Sequence, residues 1–276
     1  MASYTVFGGR GFIGSHIVKK LEEEGNDVWV PSRKDDSIYS ENLGIVIYCV
    51  GNGDCANTPF NVVEANVILL SKIIEKASFQ KLIYVSSTRV YMNGPGSLES
   101  DDLIVCNDDN RRLFNITKLA AEELCIRSGR NIIIVRPSNV YGLALNSTLF
   151  LPSIIRHAIN NGEVNMYVKP EYTKDYVSVD DVAETSIYLS KIYTEAGQIY
   201  NIASGYNTNA QAIADVLMLH TQCKINWHEV NFPREVFPET DISAIKSIYT
   251  DYNPRNVLKD LEYMIGNFKN ELGKVE

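Results

Sequence analysis

Gly8, Gly11 and Gly14 recur at every third position of Gly8-Gly9-Arg10-Gly11-Phe12-Ile13-Gly14, after the apolar run 3–7 and at the start of an amphipathic segment. That placement suits the binding of a diphosphate. A glycine at 8 permits a tight turn, one at 11 lets a phosphate approach the backbone, and one at 14 lets the next helix lie close to the strand. Free N–H groups at the helix start, those of Phe12 and Ile13 among them, then attract the negative charge together with the helix dipole. A glycine-rich turn without a ligand is the plain alternative for an isolated triplet. The strand before it and the βα units after it favour a dinucleotide.

The second strand runs into Pro31-Ser32-Arg33-Lys34, with no carboxylate before Asp35. An acidic residue here would accept from the ribose 2′-OH of NAD. Ser32, Arg33 and Lys34 suit a 2′-phosphate instead, Arg33 through paired donation and Lys34 as a point charge. NADP(H) is therefore expected in preference to NAD(H), against the plainer account of a solvated basic turn.

The elements that must position these residues alternate as βαβ units do. Strands are expected at 3–7, 28–30, 44–50, 81–86 and 131–136, and helices from Phe12 to a stop at Gly25, at 59–77 and at 111–128. Residues 31–43 carry no helical stripe, so the second crossover is short. Beyond Tyr141 the pattern loosens into helices at 150–160, 180–193, 209–220 and 255–269, with short strands near 176–179 and 198–202.

Composition narrows the function classes. Of 276 residues, 45% are apolar and 22% charged, the balance of a folded soluble domain. No apolar run approaches the ~18 residues of a membrane span, and no basic, apolar leader precedes the first strand. A formal charge of −8 argues against nucleic-acid or anionic-membrane partners. Cys49, Cys55, Cys106, Cys125 and Cys223 are scattered and form no ligand-like cluster with His16, His157, His220 and His228. Neither metal nor a disulfide framework is expected, and a reducing, cytoplasmic compartment fits. Cys49 lies in an apolar strand with no adjacent base, a poor nucleophile.

Three further stretches make a family pattern with the glycine loop. They are Ile83-Tyr84-Val85-Ser86-Ser87-Thr88-Arg89-Val90-Tyr91, Phe114-Asn115-Ile116-Thr117-Lys118 and Arg136-Pro137-Ser138-Asn139-Val140-Tyr141-Gly142. In order and spacing, over about residues 4–245, the chain resembles the extended short-chain dehydrogenase/reductases, the NAD(P)-dependent epimerase/dehydratase family acting on nucleotide sugars. Asp175-Tyr176-Val177-Ser178-Val179-Asp180-Asp181 and Tyr200-Asn201-Ile202-Ala203-Ser204-Gly205 look like its later blocks. The resemblance implies an α/β fold, a Rossmann doubly wound parallel sheet with a small C-terminal α/β lobe. Residues 1–142, rejoined by 176–204, would form the dinucleotide core. Residues 143–175 and 205–276 would form the nucleotide-sugar lobe.

The resemblance also implies roles. Ser87, with Thr88 as second choice, stands for the hydroxyl that supports the reacting oxygen, and Lys118 for the lysine that binds the nicotinamide ribose. Residues four apart share a helix face, so that lysine would depress the pKa of a phenol at 114. Cys49, Val50 and Gly51 would pass the cofactor's ribose and diphosphate. Asn66 matches a helix Asn near the catalytic strand, with simple core hydrogen bonding as its alternative. Pro137 and Ser138 would present backbone to the nicotinamide amide. Thr88, Arg89, Asn139, Lys174 and Arg234 would face the nucleotide-diphosphate sugar. Met166, Tyr167 and Tyr172 line either the sugar pocket or the lobe interface. A homodimer through the helices at 59–77 and 111–128 is expected.

Where the family has tyrosine, this chain has Phe114, which has no proton to give. Three accounts stand open: an introduced substitution that stalls an ordinary enzyme; a native residue with water, Thr88, Tyr141 or Tyr172 completing the proton path; or a protein that binds without turnover. The activity implied is an NADP(H)-linked 4-keto sugar reductase. The rivals are a 4-epimerase with tightly held NAD and a non-catalytic NADP(H)-binding regulator.

Overall fold

A computed structural model describes residues 2–147, 149–229 and 235–272. In chain order, β1 (Ser3–Phe7) leads through the glycine loop into α1 (Phe12–Glu23), followed by β2 (Asp27–Trp29) and β3 (Ile45–Tyr48). Next come α2 (Pro59–Val63), a π-helical turn (Glu64–Ile68), α3 (Leu69–Lys76), β4 (Lys81–Val85), α4 (Arg112–Arg127), β5 (Ile132–Pro137) and β6 (Asn139–Tyr141). The chain continues through α5 (Phe150–Asn161), β7 (Glu163–Met166), β8 (Thr173–Lys174), β9 (Tyr176–Ser178) and α6 (Val179–Lys191). It finishes with β10 (Ile199–Ile202), β11 (Thr208–Asn209), α7 (Ala210–Thr221), β12 (Lys224–Trp227), α8 (Ser243–Ile248) and α9 (Val257–Leu272).

Six strands form one parallel sheet in the order β10-β5-β4-β3-β1-β2. The chain leaves β1 toward β2 and then crosses to β3 on the other side. The topological switch thus lies between β1 and β3, where doubly wound sheets hold ligands. Buried on both faces, β4 and β5 are near-continuous apolar runs, as parallel strands require. One face packs Ile17, Leu21, Val182, Ile187 and Ile245, from α1, α6 and α8, on the strands. The opposite face receives Leu70, Ile73, Ala121 and Cys125, from α3 and α4. A separate apolar cluster joins α5, α7 and α9 through Ile155, Leu217 and Leu261.

Most expected elements fall within a residue or two of their places, and the differences have local causes. The helix at 59–77 contains a wider turn, Glu64–Ile68, that carries the buried Asn66. The strand expected at 28–30 starts and ends one residue earlier. Residues 163–166 and 224–227 pair as a two-stranded parallel sheet that short segments with weak alternation did not announce. The segment 242–252, assigned with the smaller lobe, packs α8 and Tyr252 on the main sheet. Lys81, buried in β4, donates to the carbonyls of Leu189 and Ile192 and so closes the C-terminal end of α6.

A buried ion pair anchors α4. The Arg136 guanidinium donates to both oxygens of Glu122, at 3.1 and 2.6 Å, with the two side chains 3% and 4% exposed. Ser86 Oγ donates to the same carboxylate, and Arg136 Nη1 donates to Tyr91 Oη at 2.6 Å. Tyr91 in turn donates to Asn201 Oδ1 at 2.9 Å. Because Glu122→Ala strands a guanidinium away from water, urea titration is expected to show a loss of ~3–5 kcal/mol. The pair Glu122→Ala/Arg136→Met is expected to recover most of it. Equal instability in the single and double variants would contradict this account.

Candidate active site

The glycine loop meets the end of β3 at the switch point. Gly8 has φ +77°, and a Cβ there would lie 3.0 Å from the Cys49 carbonyl carbon and the Val50 nitrogen. A Cβ on Gly14 would lie 2.2 Å from the Gly8 carbonyl oxygen, a contact no side chain tolerates. Gly11 caps α1 with no side-chain acceptor, and the first turn holds no acidic residue. Phe12, Ile13 and Gly14 therefore present helix-start N–H groups with no side-chain cap competing for them. These residues fit a dinucleotide diphosphate.

At the end of β2, Asp35 is turned into its own loop, its carboxylate accepting from Ser37 N at 3.2 Å and Ser37 Oγ at 2.5 Å. Ser32, Arg33 and Lys34 are exposed beside it. On the other side of the glycine loop, a Cβ on Gly51 would lie 3.6 Å from both Asn66 Oδ1 and Lys118 Nζ. Asn66 does not offer its own protons to this cleft. Its amide donates to Asn52 O (3.2 Å) and Thr117 Oγ1 (2.9 Å) and accepts from Asn52 N (3.1 Å). It pins the loop after β3 to α4, so its expected contact with cofactor becomes a bracing one.

Lys118 reaches across to the end of β4, where Nζ donates to Val85 O at 2.9 Å, two residues before Ser87. Burial pulls its ammonium down to about 8, with Glu122 and the Cys49 thiol opposing the shift. Cys49 is itself pushed up to about 12 by burial, a protonated thiol rather than a nucleophile. Ser87 Oγ accepts from Arg89 N at 3.1 Å and caps the 3₁₀ turn Thr88–Tyr91, which leaves its O–H proton directed by whatever approaches. Phe114, half-buried, lies between two cations: Lys118 Nζ is 5.8 Å and Arg111 Cζ 4.9 Å from its ring centroid.

The expected substrate residues divide. Thr88 and Asn139 line one small cavity together with Tyr91, Asp175 and Phe237. Asn139 Nδ2 donates to Asp175 O at 2.8 Å. Lys174 lies over the rings of Tyr172 and Phe237, 3.8 Å from Glu235. Arg89 departs from its expected role: it is 6% exposed, and its guanidinium donates to Asp109 at 2.8 Å and Glu235 at 3.0 Å. Ser138 has its N–H bonded to Ile202 O and its hydroxyl to Asp175 Oδ1, and Pro137 has no N–H. Backbone that these two residues offer to a ligand would therefore be carbonyl rather than N–H. Arg234 lies outside the described residues.

Both tyrosines weighed as substitute acids are engaged elsewhere. Tyr141 donates to Asp260 at 2.7 Å inside the smaller cluster, and Tyr172 donates to Glu235 at 3.0 Å. Burial and those carboxylates raise both phenols well above 10. Sequence reasoning passed over Asp109, Arg111 and Glu235. Asp109 is buried, pairs with Arg89, and accepts from Arg111 N (2.8 Å) and Asn115 Nδ2 (3.0 Å) at the start of α4. An Asp shortly before a predicted helix was the available signal. Among the described residues, no group of three or more His, Cys, Asp or Glu side chains could hold a metal ion, and no helix is long and apolar enough to cross a membrane.

A glycine loop at the switch point of a parallel sheet, with a buried lysine bonded to the end of the central strand two residues before a serine, defines a Rossmann-type dinucleotide-binding protein of the extended short-chain dehydrogenase type. The chain belongs to the NAD dependent epimerase/dehydratase family, whose sequence model matches residues 4–203. It is 24% identical over 252 residues to a GDP-L-fucose synthase of Sinorhizobium fredii, covering 80% of this chain and 78% of that one. It is 25% identical over 261 residues to a UDP-N-acetyl-alpha-D-glucosaminuronate decarboxylase of Bacillus cytotoxicus, covering 80% and 81%. In structure it is similar to MoeE5 in complex with UDP-glucuronic acid and NAD, with TM-score 0.85, 17% identity, and 98% and 99% of the two chains covered.

Lys118 carries a measurable consequence for stability. Its folded pKa of about 8 lies below the ordinary lysine value of 10.5, so the dehydrated ammonium opposes folding at every pH below about 8. That penalty fades between about 8 and 10.5. Lys118→Met is therefore expected to stabilise the protein by about 2 kcal/mol at pH 7 and by much less at pH 10. Thermal melts at the two pH values read the difference, and a pH-independent gain would contradict it.

Proposed function

We propose that this protein is an NADP(H)-dependent oxidoreductase that reduces the 4-keto group of a nucleotide-diphosphate sugar. The observation that carries the reading is Phe114 standing beside Lys118. An epimerase cycle starts by removing a proton from a sugar hydroxyl, and a phenyl ring accepts none. A ketone reduction needs no base; it needs one proton for the new alkoxide. When bound, a nicotinamide dinucleotide supplies the hydride. Ser87 donates its O–H to the carbonyl oxygen. Lys118, with a pKa of about 8, holds a proton near neutrality that a bridging water passes to that oxygen. Residues 1–142 and 176–204 hold the dinucleotide, and 143–175 with 205–276 cover the sugar nucleotide. Thr88 and Asn139, at the edge of the dinucleotide core, and Lys174 are its contacts.

The exposed Arg33 and Lys34, with Asp35 turned away, favour the 2′-phosphate of NADP(H). A homodimer through α2–α3 and α4 belongs to the same reading, because Phe60 (88% exposed), Ile116 (44%) and Leu124 (39%) leave apolar side chains in water there.

NADPH oxidation at 340 nm against a panel of 4-keto nucleotide sugars tests the function. The chain as it stands is expected to turn over, with a rate that falls as pH rises through about 8 and the Lys118 ammonium is lost. Phe114→Tyr is expected to raise the rate by about 10²-fold or more by restoring a positioned acid. No turnover by either form would sink the reductase reading and bring forward a regulator that only binds cofactor. Retained, unexchanging NAD after purification would instead favour the epimerase. Arg33→Ala/Lys34→Ala is expected to weaken NADPH binding more than tenfold while leaving NADH binding unchanged. Parallel losses for both cofactors would contradict the 2′-phosphate assignment.

A further inference from the structure

Arg111 is an exposed cation that stacks on Phe114. It caps the start of α4, held there by the bond from its backbone N–H to Asp109 Oδ1. Its guanidinium lies over the Phe114 ring, and Nη2 comes within 2.9 Å of where a Cβ on Gly53 would stand. The exposed fork thus lies between α4 and the loop after β3. That loop also carries Gly51, against which Lys118 Nζ rests.

Among the described residues, Arg111 has no ion-pair partner and no acceptor for its guanidinium protons. The two nearby acids are already taken. Asp109 pairs with Arg89, and Glu235 serves Arg89, Tyr172 and Lys174. Three cations, Arg89, Arg111 and Lys174, therefore surround two carboxylates. The surplus positive charge falls at Phe114, the end of the cleft where Ser87 and Lys118 meet the reacting sugar. On that wall the phenyl ring offers no hydrogen bond, so a polar substituent arriving there meets the Arg111 fork.

We propose that Arg111 determines specificity by binding a carboxylate carried on the sugar ring, so that the substrate is a nucleotide-linked sugar acid. A planar guanidinium matches a carboxylate through two parallel N–H···O bonds, a geometry that a neutral hydroxymethyl group cannot reproduce. The inference rests on the nucleotide-sugar reading of the site and adds the sugar's charge to it. A diphosphate could also attract Arg111, so the test compares ligands that share the diphosphate and differ only at C6.

Calorimetric binding to the NADP⁺-loaded protein would use UDP-glucuronic acid against UDP-glucose and GDP-mannuronic acid against GDP-mannose. At least one uronate is expected to bind tenfold or more tightly than its neutral partner. Arg111→Gln is expected to abolish that preference, and Arg111→Lys to keep part of it. Unchanged NADPH affinity in both variants would show that the fold is intact. Binding of a pair without discrimination, or discrimination that survives Arg111→Gln, overturns the assignment of Arg111 alone. Failure of all four ligands to bind overturns the nucleotide-sugar reading and this inference with it.

Discussion

Glu122 and Arg136 face each other where almost no water reaches, and the position of α4 against the sheet follows from that pairing. Two charges removed from solvent are unfavourable unless every lone pair and proton finds a partner. Here each nitrogen and oxygen of the pair has at least one: beyond their mutual bonds, Ser86 closes on the carboxylate from the end of β4, and Tyr91 closes on the guanidinium from the turn beyond Ser87. Asn201 extends the chain of bonds to β10. A half-turn rotation of α4 would take Glu122 away from both Ser86 and Arg136, so Lys118, one helical turn before Glu122, is set opposite Val85. The pair is weak evidence for stability in itself, but it gives the helix a single register against the sheet.

Substituting phenyl for phenol changes the electrostatics of the site as well as its acid–base capacity. Lys118 remains almost without water, and burial outweighs the pull of Glu122 so that its pKa falls to about 8. A structural lysine would gain by being apolar there. The retained charge costs stability and fits the role proposed for Lys118 in proton supply. Around Phe114 the cations outnumber their partners. The cleft is consequently electropositive in a chain whose formal charge is −8, and the local field, not the net charge, is what an anionic ligand meets.

The smaller lobe is tied to the sheet by single acidic groups with many donors. Asp175 accepts from Ser138 Oγ at 2.6 Å, Ser204 N at 2.9 Å and Gly205 N at 2.8 Å, joining the ends of β5 and β10 to the start of β9. Burial raises its pKa against the effect of those donors. Glu235 plays a comparable part across the cleft, drawing Arg89, Lys174 and Tyr172 together. Arg89 is accordingly a strut between lobes. A ligand phosphate would have to compete with two carboxylates already within 3.0 Å of it.

Local chemistry was legible in the chain itself. The glycine spacing, the apolar period of α1 and the unbroken apolar runs of β3, β4 and β5 each depend on near neighbours, and so do the missing carboxylate after β2 and the phenylalanine at 114. Lys118 and Ser87 could be named because the family pattern preserves their offsets within one helix and one strand end. The partners of each charge were not legible. Arg89 and Lys174 carry the residue types of ligand contacts, but Asp109 and Glu235 reach Arg89 from positions 20 and 146 residues away. Asn66 read as a cofactor neighbour until a π turn aimed both amide protons at Asn52 and Thr117. Arg111 carried no signal at all, since nothing local shows that its guanidinium comes to lie over Phe114. Which charges are neutralised and which stay open to a ligand depends on long-range packing, because a buried or half-buried charge takes whatever partner the fold brings within hydrogen-bond reach.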